Sequence, residues 1–269
     1  MFETIGVIGT GAMGSAVARL VAMAQPEKAL LLSNRTPEKA EKLAAELSAR
    51  AVTNAELAKD CDLIFLAVKP QMMPEVLKAL APVLAARTDR FVLVTMAAGL
   101  TTDTIQELSG GAYPVIRMMP NTPIAVGAGI VTYCGNGAAE EELSAFAALL
   151  QDAGTLDRID EHLIDAASAL AGCGPAFVDL FLEALADGAV ACGLPREKAL
   201  LYAAQTVEGA AKTARISGEH PGSLKDVVCS PAGSTIQGVR ALERGGFRSA
   251  AMEAVIAAYE KNLELKKGE

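Results

Sequence analysis

Over its first 160 residues, short unbroken apolar runs alternate with longer stretches in which apolar residues recur every three or four positions. Runs at 5–8, 29–33, 63–68 and 91–95, with a shorter one around Ala51 and Val52, read as strands. Continuous apolar character is what a parallel strand covered on both faces requires. Between them, residues 15–20, 38–47, 54–59 and 74–86 carry helical spacing, with Pro37 at the first position of the second helix. Residues 115–123 form a strand that halts in a turn bracketed by Pro120 and Pro123, followed by strands at 129–133 and 155–159 and a helix at 140–152. This alternation predicts an α/β fold: a doubly wound sheet over residues 1–160, with room for antiparallel strands at its far edge.

Beyond Asp160 the strand pattern stops. Helical spacing continues at 161–171, 175–192, 196–217, 223–229, 235–244 and 247–267, and several of these helices are apolar all round. Helices of that kind leave apolar surface that a small domain cannot cover by itself, which predicts an all-helical dimerisation domain over 161–269.

The run 5–8 leads directly into Gly9-Thr10-Gly11-Ala12-Met13-Gly14 and then into a helix. A strand, three spaced glycines and a helix start make the fingerprint of a Rossmann-type dinucleotide site. Gly9 permits the tight turn, Gly11 leaves room for a pyrophosphate beside Ala12 and Met13, and Gly14 lets the helix approach the strand. Unpaired N–H groups at the positive end of the helix then hold the phosphates.

Twenty residues past Gly14, an NAD-selective site carries an acid on the ribose 2′-hydroxyl, whereas this chain offers Ser33, Asn34 and Arg35. Neutral and cationic donors welcome a 2′-phosphate that an acid would repel, so NADPH is the expected cofactor, with NADH possible. Ligands bind outside the carboxyl ends of strands in such sheets, which adds Ala67, Val68, Lys69 and Pro70, and Ala97, Ala98 and Gly99, to the cofactor residues.

Composition removes several function classes. The net charge is −8, from 32 acidic and 24 basic residues, and no basic stripe offers a nucleic-acid surface. Five scattered cysteines without a C-x-x-C pair, and two histidines, argue for a reducing cytoplasm and against a metal site. The longest apolar stretch, 164–194, is interrupted by acids and by Gly172, Gly174 and Pro175, so no membrane span is expected.

Chemistry in the second half gathers at 228–235, a loop of small residues running into a helix N-terminus, which offers free N–H groups to a carboxylate. By spacing alone, Ser234 and Thr235 serve equally well as an ordinary helix cap. A lysine suited to oxidising a substrate alcohol is missing after the Gly172 and Gly174 pair, where Val178, Phe181 and Leu182 stand instead. Asp179, Glu183 and Asp187 share one helix face as a polar stripe, Cys229 reads as a packing residue, and His220 as a surface residue.

The segment 221–243, with its Ser230-Pro231-Ala232-Gly233-Ser234-Thr235 core, resembles the signature of the Δ1-pyrroline-5-carboxylate reductases. The glycine loop, Ala67-Val68-Lys69-Pro70-Gln71, Ala97-Ala98-Gly99, Met119-Pro120-Asn121-Thr122-Pro123 and Ala171-Gly172-Cys173-Gly174-Pro175 are similar to that family in the same order. The resemblance implies reduction of pyrroline-5-carboxylate to proline with NAD(P)H. It assigns the substrate to Gly233, Ser234 and Thr235, with Asn121 as a further substrate residue and Thr235, the catalytic residue, near the ring nitrogen. It also implies a homodimer or larger homo-oligomer whose helical domains complete each other's sites. Cys173 and Ala232 depart from the family's usual Ser and Gly. Two rival readings are another imine or hydroxyacid oxidoreductase on the same first domain, and a redox sensor that binds dinucleotide without turnover.

Overall fold

The computed structural model describes residues 2–267. Its first element, strand β1 (Thr4–Ile8), lies in a sheet with β2 (Ala29–Ser33), β3 (Arg50–Ala51), β4 (Leu63–Leu66), β5 (Val92–Thr95), β6 (Val115–Pro120), β7 (Gly129–Asn136) and β8 (Gly154–Arg158), in the order β3-β2-β1-β4-β5-β6-β7-β8. Strands β1 to β6 are parallel to their neighbours; β7 runs antiparallel to β6, and β8 is parallel to β7. The turn over Asn121–Gly127 is short enough only for a reversal, which is why parallel order ends there.

Helices α1 (Ala12–Ala24), α2 (Pro37–Leu47) and α6 (Glu140–Leu149) cover one face, and α3 (Asn54–Asp60), α4 (Met73–Ala85) and α5 (Thr102–Ser109) the other. Side chains alternate accordingly: Ile5, Val7, Leu63, Phe65, Val92 and Val94 enter one core, Ile8, Ile64, Leu66 and Leu93 the other. Both faces being buried explains why these strands read as unbroken apolar runs. The pattern does not announce α5, an 8-residue helix that buries only Thr102, Ile105 and Ser109 and is capped by the Thr101 side chain.

In α6, Glu142 accepts from the Ala139 N–H at 2.7 Å and from Arg90 at 2.8 and 2.9 Å. The Arg90 hydrogen bonds hold its carboxyl below the usual carboxylate range. A depressed carboxyl adds stability above its unfolded pKa, and that stability is lost as pH falls through the folded value. Glu142→Gln is therefore expected to cost about 1 kcal/mol at neutral pH, and denaturant titrations of the two proteins should converge in acid.

Helix α7 (Glu161–Ala171) is followed by α8 (Gly174–Ala191), α9 (Arg196–Ser217), α10 (Pro221–Val227), α11 (Ser234–Arg244) and α12 (Phe247–Lys267). The contacts divide the chain into Met1–Gly172 with Tyr259–Glu269, and Cys173–Ala258. The compact division thus falls at Gly172, after α7, where the change of pattern lies near residue 160. Arg117 on β6, 1% exposed, donates to Asp165 on α7 at 2.6 Å and reaches Glu161 at 3.5 Å. Glu161 in turn accepts from the Thr102 N–H and hydroxyl, each at 2.8 Å. Asn121 adds a bond from its amide nitrogen to the Ala171 carbonyl at 3.0 Å, and Asn262 one to the Asp165 carbonyl. These polar pins fasten α7 and the end of α12 to the sheet.

In the second unit α8 packs on α9 through Ala186, Ala199 and Ala203, with Leu182, Val190 and Leu194 half-buried around them. Much apolar surface stays outside, including Leu201 at 63% and Val227 at 81% exposure. By length and composition only, the helical run Glu161–Ala191 is apolar enough to cross a membrane. Averaged over a window, the alanines and leucines outweigh the interruptions. Two of those interruptions do structural work, because the run breaks between α7 and α8 and Asp165 pairs with buried Arg117.

Candidate active site

Three glycines at the end of β1 answer to different demands. Gly9 has φ +103°, donates its N–H to the Ser33 carbonyl at 2.7 Å, and a Cβ there would stand 2.6 Å from the Ala67 oxygen. At Gly14 a Cβ would stand 1.9 Å from the Gly9 oxygen, so the helix could not seat against the turn. Gly11 differs: a Cβ there meets no protein atom within 4 Å. Packing does not require glycine at that position, whereas close approach of a phosphate does. Gly11 caps α1 without a side chain, and the first turn carries no acid, so its N–H groups present an uncancelled positive end.

This helix start opens on a cleft of about 380 Å³ lined by Gly11, Ala12, Met13, Gly14, Ala67, Val68, Lys69, Pro70 and Ala98 from the expected cofactor residues. Met96, Met119 and Pro120 complete it. The cleft lies beyond the carboxyl ends of β1 and β4, where the strand order reverses direction. Gly9, Ala97 and Gly99, also expected, are not among the residues that line it. Ala97 is buried with its N–H on the Thr95 hydroxyl at 3.3 Å, and Gly99 takes φ +78°.

A second hollow of about 540 Å³ lies past the end of β2, between Ser33, Asn34 and Pro37 on one side and Val52, Thr53 and Asn54 on the other. Ser33 is buried and bonded to Asn54 through its hydroxyl at 2.6 Å. Asn34 is a clasp: its side-chain oxygen accepts from the Thr10 N–H at 3.3 Å, and its nitrogen donates to the Thr36 carbonyl at 3.1 Å. Arg35 follows and is exposed; it is not among the residues that line the hollow. Asn54, which the pattern marks only as a helix start, joins this hollow because β3 brings it beside β2.

Asn121 lies apart from the start of α11 in sequence and is engaged by the fold. Its side-chain oxygen accepts from the Ile130 N–H at 2.9 Å while its nitrogen holds Ala171.

Within the second unit, Gly233 caps α11, and among the described residues no side chain caps this helix start. Ser234 and Thr235 occupy its first two positions and are exposed. The turn before it closes through Gly233 N–H to the Ser230 carbonyl at 3.1 Å, with Pro231 and Ala232 at its corner. Ala232 adopts φ +60°, a left-handed conformation costing a non-glycine residue about 1 kcal/mol. At Gly233 a Cβ would stand 2.4 Å from the Ser230 hydroxyl, which would have to rotate away, and 3.2 Å from the Ser230 carbonyl oxygen. The result is a short cradle of backbone N–H groups and two hydroxyls, suited to a carboxylate.

The other conspicuous residues find structural employment. His220 caps α10, accepting from the Gly222 N–H at 3.0 Å, and Asp187 pairs with Arg196. Burial pushes the Cys61 thiol up to about 12 and the Cys134 thiol to about 11, which leaves both inert. Among the described residues no cluster of three or more His, Cys, Asp or Glu side chains is placed to hold a metal ion.

Comparison with known proteins bears on both halves. A family model described as "Pyrroline-5-carboxylate reductase dimerisation" matches residues 161–265, and one described as "NADP oxidoreductase coenzyme F420-dependent" matches residues 4–99. The pyrroline-5-carboxylate reductase of Pisum sativum is 40% identical over 265 residues, 97% of this chain and 96% of that one. That of Escherichia coli K12 is 38% identical over 271 residues, 99% of this chain and 100% of that one. Among solved structures, Plasmodium falciparum pyrroline carboxylate reductase with NADP bound is similar at TM-score 0.87 and 32% identity, covering 98% of each chain.

Proposed function

This chain belongs to the pyrroline-5-carboxylate reductase family, and on that premise we propose a division of labour between two helix starts, α1 for the cofactor and α11 for the substrate. The reaction is reduction of 1-pyrroline-5-carboxylate to L-proline, the last step of proline synthesis. Gly11 is the observation that carries the cofactor half, since its missing Cβ serves no protein neighbour. NADPH supplies the hydride when bound. The free N–H groups of α1 would hold its pyrophosphate, Arg35 would face its 2′-phosphate beside a hollow shaped by Ser33 and Asn34, whose side chains are bonded to Asn54, Thr10 and Thr36, and 67–70 with 97–99 would shape the berth of its reactive ring.

The substrate carboxylate rests on the N–H groups and hydroxyls of Gly233, Ser234 and Thr235, an arrangement supported by the uncapped start of α11. Thr235 donates a hydrogen bond to the ring nitrogen. A C=N carbon already attracts hydride, more so as nitrogen gains a proton, so a strong base is unnecessary and positioning supplies most of the rate. The exposed apolar residues of α8 to α12 pair with a second copy of the chain, making at least a homodimer. Five free cysteines fit a reducing compartment such as the cytoplasm.

NADPH absorbance followed with purified protein, offering pyrroline-5-carboxylate, its six-membered homologue and simple keto acids in turn, tests the reading. Oxidation of NADPH with the five-membered imine is expected; none with any of them would favour a dinucleotide sensor. Arg35→Ala should weaken NADPH binding about tenfold and leave NADH binding unchanged, because only the 2′-phosphate meets this cation. Equal losses for the two cofactors, measured by calorimetry, would remove Arg35 from the selectivity.

A further inference from the structure

Three methionine side chains to which the proposed reaction gives no role meet at one place. Met13 from α1, Met96 from the turn after β5 and Met119 from β6 all line the cleft at the carboxyl edge of the sheet, and all three are half-buried. Apart from Lys69, the rest of that lining is glycine, alanine, valine and proline. Their thioethers are therefore the oxidisable groups of the cleft. They come from three separate elements, so no run of sequence displays them together. Met118, next to Met119 on β6, points into the core and is fully buried.

We propose that Met13, Met96 and Met119 form a thioether wall against which the flat ring of the bound dinucleotide rests, and which peroxide converts to sulfoxide when the cleft is empty. This rests on the dinucleotide reading of the cleft. Thioethers are polarizable and pack well against ring systems. In the oxidation, a sulfur lone pair attacks one peroxide oxygen, an S–O bond forms as the O–O bond breaks, and the second oxygen leaves as water after proton transfer. Sulfur loses two electrons and the peroxide gains them. The product is a polar, bulkier side chain. Apart from Lys69, no lining side chain is polar enough to pair with its new dipole, so the wall no longer fits an apolar ring face.

Hydrogen peroxide treatment of the native protein, with and without NADP⁺ at about 100 times its Kd, tests this by mass-spectrometric mapping of each methionine. Only about 1% of clefts are then empty, so oxidation at Met13, Met96 and Met119 should slow by about tenfold or more. Met23, 69% exposed on α1, should oxidise equally in both samples, and buried Met118 in neither. Protein oxidised while empty and then freed of peroxide should bind NADPH about tenfold more weakly, equivalent to about 1.4 kcal/mol. NADPH fluorescence, excited in the reduced nicotinamide's own absorption band, reads this directly. NADPH binding accompanied by unchanged oxidation of the three methionines would overturn the wall and leave the dinucleotide site standing. Failure of the untreated protein to bind NADPH would overturn both.

Discussion

Replacing Thr235 by alanine is expected to lower kcat/KM for pyrroline-5-carboxylate about 100-fold while leaving NADPH binding unchanged. The hydroxyl stands at the second position of α11, exposed and free of any capping duty, because Gly233 rather than a side chain caps the helix. Removing it therefore takes away a donor to the developing amine without loosening the helix. Alanine is the better helix former, so stability should hold or rise slightly. A structural threonine would behave in the opposite way, with a lower melting temperature and turnover preserved. Steady-state kinetics with a parallel NADPH titration separates the two. Unchanged kcat/KM would take Thr235 out of the mechanism.

The largest expected loss of stability comes from Arg117→Leu, at about 3–5 kcal/mol. Arg117 and Asp165 are both buried and joined at 2.6 Å, and the leucine would strip a buried carboxylate of its guanidinium. For a protein whose whole stability is about 5–15 kcal/mol, this places the sheet-to-α7 junction near failure. Arg117→Leu combined with Asp165→Leu should recover much of the loss, since an apolar pair removes the stranded charge along with its partner. Calorimetric melting of the two variants checks this. A single variant as stable as the parent would mean that the ion pair contributes nothing to the junction.

Legibility of the chain followed the range of the interactions involved. Short-range rules recovered the glycine turn, because the strand, Gly9, Gly11, Gly14 and helix α1 are contiguous and each glycine obeys a local steric demand. Helices α7, α9 and α12 begin and end where helical spacing places them. Helix α5 was illegible because its eight residues bury too few apolar side chains to impose a period. Asn34 was legible as a neutral residue at the right distance from Gly14. Its bonds to Thr10 and Thr36 depend on two loops meeting, which no spacing encodes. Asn54 escaped for the same reason, being brought to its hollow by a neighbouring strand, and of Met118 and Met119, both legible as apolar wall, only Met119 lines the cleft while Met118 is buried in the core. Asn121 was legible as part of a turn, while its grip on Ala171 spans fifty positions.

By itself the sequence determined the sheet of alternating elements, the glycine turn at Gly9 to Gly14 and the helix start near Ser234, since strand runs, helix starts and missing Cβ atoms are written in consecutive residues; by spacing alone it left Ser234 and Thr235 equally readable as a helix cap. Only the tertiary structure decided that α7 belongs with the sheet, that Asn34 is a clasp, and that Met13, Met96 and Met119 line one cleft. Those outcomes depend on side chains that are far apart in the chain and meet only because parallel strands deliver their ends to one edge.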